Sequence, residues 1–131
     1  MLSIKVPLAI ALSLLPTLCA GAGSALAETP VTAQEAGARF GEALGAIEIC
    51  DGTSLSDKAT TLKASFSGAD IERFTSQATK VYGAWLTVKH CVRPNDPNPC
   101  RIIIQKSCLA AISEIGPHGS ALPGLLDVSD H

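Results

Sequence analysis

Apolar residues recur at intervals of three and four along two long stretches of the chain, and this period indicates amphipathic helices. The first stretch is residues 33–50, where Thr32 and Glu35 have the form of a capping box and Gly52 offers a typical helix end. Its apolar positions fall within about 100° of one another on a helical projection. They are Ala33, Ala36, Phe40, Ala43, Leu44 and Ile47. Glu42 lies on the opposite, polar side of this predicted helix.

The second stretch, residues 71–92, has the most regular pattern in the protein and predicts a helix that packs on another helix. Its apolar positions are Ile71, Phe74, Ala78, Val81, Trp85, Val88 and Val92. The segment RPNDPNPC, residues 93–100, must end this helix because proline lacks the backbone N–H and disfavours a helical predecessor. A third periodic segment follows at residues 100–115, and a weaker pattern at residues 56–65 predicts a short helix with Ser56 as N-cap.

No stretch alternates well enough to predict a strand, and residues 117–131 have no helical period. The predicted fold class is therefore all-α, a small disulfide-stapled bundle of three to four helices. Residues 28–116 form the predicted helical domain, and residues 117–131 form a predicted irregular C-terminal tail.

The first 27 residues have the features of a cleaved secretory signal peptide. Lys5 provides a basic start, residues 6–18 are apolar, and Ala-Leu-Ala at residues 25–27 is a typical cleavage site. An uncleaved membrane anchor is the alternative, because the apolar stretch approaches the length of a membrane span. The cleavage site favours export to the periplasm or the extracellular medium, with membrane contact only through this leader.

Cleavage removes Cys19 and leaves an even number of cysteines in an exported chain, which predicts two disulfides. Cys100 and Cys108 lie eight residues apart on one helix, about 12 Å along its axis, and are too distant to pair. An antiparallel helix pair brings Cys91 to Cys100, so the preferred pairs are Cys91 with Cys100 and Cys50 with Cys108. Metal binding is the alternative, but the cysteines lack the close ligand pairs of zinc sites.

Gly37, Gly41 and Gly45 stand four residues apart in the first predicted helix, and we call them the glycine stripe. Each interior glycine costs about 0.5–1 kcal/mol relative to alanine. We expect close packing against a second helix to offset that cost; an accidental spacing is the alternative. A membrane dimer seam does not fit, because Arg39 and Glu42 interrupt the segment.

Charge and motifs narrow the classes of function. Without its leader the chain carries nine basic and twelve acidic side chains, a formal net charge of −3 that does not favour nucleic-acid binding. None of the three histidines, His90, His118 and His131, belongs to a recognisable catalytic motif. We therefore predict that the protein is not an enzyme and uses no cofactor or metal.

The leading hypothesis is an accessory or chaperone-like module that binds another exported protein. Its predicted contact residues are three leucines of the tail, Leu122, Leu125 and Leu126. The alternative is that these leucines pin the tail to the helical domain. Basic residues concentrated in residues 80–106 either attract acidic helices of the same domain or meet an acidic partner or a membrane surface. The alternative function is a carrier of a small apolar molecule in a cavity between Phe40, Phe74, Trp85 and Ile104.

Overall fold

The computed structural model describes residues 30–92 and 95–129, and the predicted leader lies outside them. The described elements are α1 (Ala33–Ile49), β1 (Thr53–Leu55), α2 (Asp57–Ala64), α3 (Ala69–Lys89), α4 (Asn98–Ile115) and β2 (Leu126–Val128). The chain is mostly helical, as predicted. The class all-α is only approximate, because β1 and β2 form a two-stranded sheet.

Local side chains explain where the first two helices begin. Thr32 Oγ1 accepts a hydrogen bond from the Glu35 backbone N–H at 3.1 Å, so α1 starts at the predicted cap. Ser56 Oγ accepts from the Ala59 backbone N–H at 3.2 Å and caps α2 in the same way. Gly52 adopts φ 79° after the end of α1, a conformation that favours glycine. Each cap satisfies a backbone N–H that has no partner inside its helix.

Helix α1 packs closely on α3, and the glycine stripe forms the contact. A Cβ at Gly37 would overlap the backbone of Phe74, and a Cβ at Gly41 would lie 2.9 Å from the Ala78 Cα. The third glycine of the stripe faces the side chain of Trp85. The predicted role of the stripe in helix packing is confirmed, because only residues without a side chain allow the two backbones this close.

Two disulfides attach α4 to the other helices. Cys50 and Cys108 join the end of α1 to α4, with their Cα atoms 5.6 Å apart. Cys91 and Cys100 bridge the segment between α3 and α4, with their Cα atoms 5.7 Å apart. These are the pairs that the sequence predicts.

The core lies between α1, α3, the second half of α4 and the chain after it. The largest fully buried side chains are Phe74, Ile115, Leu125 and Leu126. Two predicted core positions are wrong: Ile47 is 37% exposed in the last turn of α1, and Val92 is 74% exposed. Val92 lies beyond the end of α3, so its position no longer follows the period of that helix.

The C-terminal segment contains a short strand that the sequence does not predict. Strand β2 pairs antiparallel with β1, and Leu126 lies opposite Leu55. Leu125 and Leu126 are fully buried, and Leu122 is partly buried against the core. Leu125 and Leu126 are therefore not exposed contacts for a partner. All three leucines instead pin the segment to the core, which is the alternative that the sequence offers. The sequence conceals this pairing because three-residue strands carry no measurable alternation and their partners lie far apart in the chain.

We predict opposite effects for two glycine-to-alanine substitutions. Gly41→Ala should lower the free energy of unfolding by about 2 kcal/mol, because the added methyl group overlaps the Ala78 backbone. Gly83→Ala, in α3, should raise it by about 0.5–1 kcal/mol, because the space around Gly83 is open. Urea denaturation of both variants measures the difference, and equal effects would contradict the close contact.

A second pair of substitutions tests the buried C-terminal segment. Leu126→Ala should lower the free energy of unfolding by about 2–5 kcal/mol, because Leu126 is fully buried. Val128→Ala is the control, since Val128 lies in the same strand and is 36% exposed, and should cost less than about 1 kcal/mol. Thermal denaturation followed by circular dichroism measures both. Comparable losses in the two variants would argue against the described packing.

Candidate functional site

Four large apolar side chains are exposed on α4 and on the segment between α3 and α4. They are Val92, Ile102, Ile103 and Leu109, and we call them the hairpin face. Leu109 and Val92 are the most open, at 63% and 74% exposure. Single exposed apolar residues are common on proteins, but a group of this kind on neighbouring segments is typical of a binding surface.

The period of α4 explains the exposure. Ala111 and Ile115 are the buried residues of this helix, and they fix the side that faces the core. Ile102 and Leu109 are seven residues apart and lie on the opposite side, since each residue turns the helix by about 100°. The first half of α4 contributes no buried residue, so the two disulfides hold it in place.

A shallow hollow of about 340 Å³ adjoins the hairpin face beside the Cys91–Cys100 bridge. Val88, Val92 and Ile103 provide its apolar lining, and His90 borders it. The hollow joins the last turn of α3 to the first turns of α4. The hairpin face therefore combines exposed apolar side chains with a hollow. The hollow has room for an apolar side chain of another molecule.

Two basic side chains lie on α4 beside residues of the hairpin face. Arg101 and Lys106 are exposed on α4, and Arg101 donates a hydrogen bond to Asn98 Oδ1 at 2.6 Å. Lys89, at the end of α3, instead forms an ion pair with Glu48 of α1, with 2.7 Å between Nζ and Oε2. Part of the predicted basic segment thus attracts an acidic helix of its own domain, whereas Arg101 and Lys106 form no ion pair with a carboxylate of the described residues. Residues 93–94 lie outside the described part of the chain.

The predicted carrier cavity does not form as expected. The Phe40 and Phe74 rings lie 5.2 Å apart between centroids and line a groove between α1 and α3. Trp85 instead packs on Gly45, and Ile104 is half-buried on α4, so neither lines that groove. The four residues therefore do not surround one cavity.

Two of the three histidines, His90 and His118, lie in the described part of the chain. His118 is exposed, and His131 lies outside the described part. Within residues 30–92 and 95–129, no group of three or more histidine, cysteine or acidic side chains has an arrangement that would hold a metal ion. In the same residues, no helix combines the length and the apolar character needed to cross a membrane.

A charged cluster between α1 and α4 is not evident from the sequence. Arg39 Nη1 donates to the carboxylate of Glu42 at 2.9 Å and to that of Glu114 at 2.8 Å. Glu42 is only 7% exposed, so its predicted place on a polar, solvent-facing side is wrong. The reason is that α4 covers this side of α1, which the pattern of α1 alone does not reveal.

The environment of Glu42 favours its neutral form. Burial raises the pKa of Glu42 to about 7, and the nearby Glu114 carboxylate adds to this, while Arg39 opposes it. Arg39 bridges two acids with one nitrogen and so cannot fully neutralise both. The cluster ties α4 to α1 at a point two turns from the Cys50–Cys108 bridge.

In comparisons with family models, curated proteins and solved structures, nothing matches this chain. Function therefore has to be inferred from the described side chains alone.

We predict that Glu42 makes stability depend on pH. In the unfolded chain its pKa returns to the ordinary 4.5, so the folded state binds more protons between pH 4.5 and about 7. The free energy of unfolding should consequently fall as the pH rises through this window, by up to about 3 kcal/mol.

The variant Glu42→Gln should remove most of this slope, because the amide stays neutral at every pH. Glu35→Gln is the control, since Glu35 is exposed on the same helix. Urea denaturation at pH 5 and pH 8 measures the slope in each protein. An unchanged slope in Glu42→Gln would show that Glu42 is ionised in the folded state.

Proposed function

We propose that this protein is a small exported interaction module that binds another exported protein through the hairpin face. The observation that carries the proposal is a rigidly attached helix, α4, whose outward side presents Ile102 and Leu109 to solvent. A helix fixed by two disulfides loses little conformational freedom when a partner binds, which favours affinity.

The disulfides also bear on location. Structural disulfides persist in oxidising compartments, so they indicate a place outside the cytoplasm. We propose the periplasm or the extracellular medium as that place, in agreement with the predicted leader at residues 1–27. The partner must then be exposed to the same compartment.

The chemistry of the hairpin face defines the partner. Burying Leu109 and Ile102 requires an apolar patch or a protruding apolar side chain on the partner. Exposed Arg101 and Lys106 favour acidic residues around that patch, because opposite charges steer association and disfavour other partners. We propose a partner of this composition, with binding in an accessory or chaperone-like role rather than catalysis.

Site-specific photo-crosslinking in the host cell tests this function. A photoreactive residue in place of Leu109 should crosslink one defined exported protein, because Leu109 lies within the proposed contact. The same residue in place of Thr60, exposed on α2, is the control and should give no such product. Adding Ile102→Ser to the chain with the photoreactive residue at position 109 should weaken the product, because the contact loses an apolar side chain.

Thermal denaturation must accompany this experiment, since Ile102 is 48% exposed and its replacement should leave the melting temperature nearly unchanged. Equal crosslinking from Leu109 and Thr60, or none from the hairpin face, would contradict the proposal. A product of twice the mass of the chain would replace it with self-association.

A further inference from the structure

A narrow groove of about 130 Å³ lies between α1, α2 and α3, on elements separate from the hairpin face. Its lining residues are Phe40, Leu44, Lys63, Phe74, Thr75, Ala78, Thr79 and Tyr82. We call it the aromatic groove. Because the hairpin face lies on α4 and the end of α3, a role for the aromatic groove is independent of partner binding at the hairpin face.

The floor of the aromatic groove is apolar and fixed. Phe74 is fully buried, and its ring lies 5.2 Å from that of Phe40 and 5.4 Å from that of Phe66 between centroids. Phe66 and Phe40 both pack on Phe74 below the groove, so the apolar floor is already present without a ligand. A preformed apolar groove loses little free energy to reorganisation when a ligand enters.

A positive charge stands at one end. Lys63 Nζ lies 5.9 Å from the centroid of the Phe40 ring. Among the described residues, no carboxylate forms an ion pair with Lys63. Its ammonium group can therefore receive an anion at the edge of the apolar floor.

An ion pair, and not a free charge, lies beyond Tyr82. The Tyr82 hydroxyl donates a hydrogen bond to Glu48 Oε1 at 3.1 Å, and Lys89 donates to the second oxygen of that carboxylate at 2.7 Å. These two donors lower the pKa of Glu48 and keep it ionised. Because Lys89 neutralises Glu48, the Tyr82 end of the groove carries no net charge. The Lys63 ammonium is therefore the group of the groove lining that attracts an anion, and it sets the end at which a carboxylate binds.

We propose that the aromatic groove binds a small amphipathic monocarboxylate, with its apolar body on Phe40 and Leu44 and its carboxylate at Lys63. The exposed hydroxyls of Thr75 and Thr79 add hydrogen bonds along the wall. Cavities of about 150 Å³ accept a benzene-sized group, so an aromatic ring or a short alkyl chain fits and a long lipid chain does not.

Nuclear magnetic resonance titration of the disulfide-oxidised protein, produced from the full-length chain, tests this site. Benzoate is the probe, and it should shift the amide signals of residues around Leu44 and Thr79 in a saturable way. Benzyl alcohol has a similar ring without the charge and should bind more weakly. Added salt should weaken benzoate binding, because the ion pair is exposed at the groove edge.

The variant Lys63→Gln should raise the dissociation constant for benzoate by about threefold or more, since it removes the cation and keeps much of the length of the side chain. Lys80→Gln is the matched control, because Lys80 is an exposed lysine of α3 outside the groove, and should leave the constant unchanged. An equal loss of benzoate affinity in both variants would overturn the proposal. So would benzoate shifts confined to the hairpin face, or equal binding of benzoate and benzyl alcohol.

Discussion

The contact between the glycine stripe and α3 is the constraint on which the rest of the fold depends. Because Gly37 and Gly41 allow the α3 backbone to touch α1, Phe74 reaches the centre of the domain and packs at a tilt against Phe40. The same approach brings Glu48 within reach of Tyr82 and Lys89. A wider spacing between α1 and α3 would separate Phe40 from Phe74 in the floor of the aromatic groove. It would also separate Glu48 from its hydrogen-bond donors on α3.

The two disulfides attach α4 where the helix buries few apolar side chains. Helix α4 contributes only Ala111 and Ile115 to the fully buried core, yet cysteines near its start and its middle attach it at two places. The ion pair between Arg39 and Glu114 adds a third attachment. Because these bonds attach α4, the helix does not need all of its apolar residues for packing in the core. Some of them can therefore lie on its outward side.

Local signals can be read from the sequence, whereas contacts between distant segments cannot. The caps at Thr32 and Ser56 depend on residues that are three positions apart in the sequence. The cysteine pairing follows once the pair Cys100 with Cys108 is excluded by its distance along one helix. The sequence misplaces Leu126 because its strand partner lies far earlier in the chain. It misplaces Glu42 because the burial of that side chain depends on α4. It does not reveal the hairpin face because α4 has apolar residues on both its buried and its exposed side, so the sequence does not distinguish the two sides.

The uneven burial along α4 has a consequence for the protein under reducing conditions. Once both sulfur bridges are cleaved, the first half of α4 retains almost nothing that fastens it, whereas Ala111 and Ile115 remain in the core. Unfolding by a reductant should therefore start there and stop short of the α1–α3 pair. The result is a partly folded species that keeps its aromatic centre but no longer holds Ile102 at a fixed position relative to Leu109.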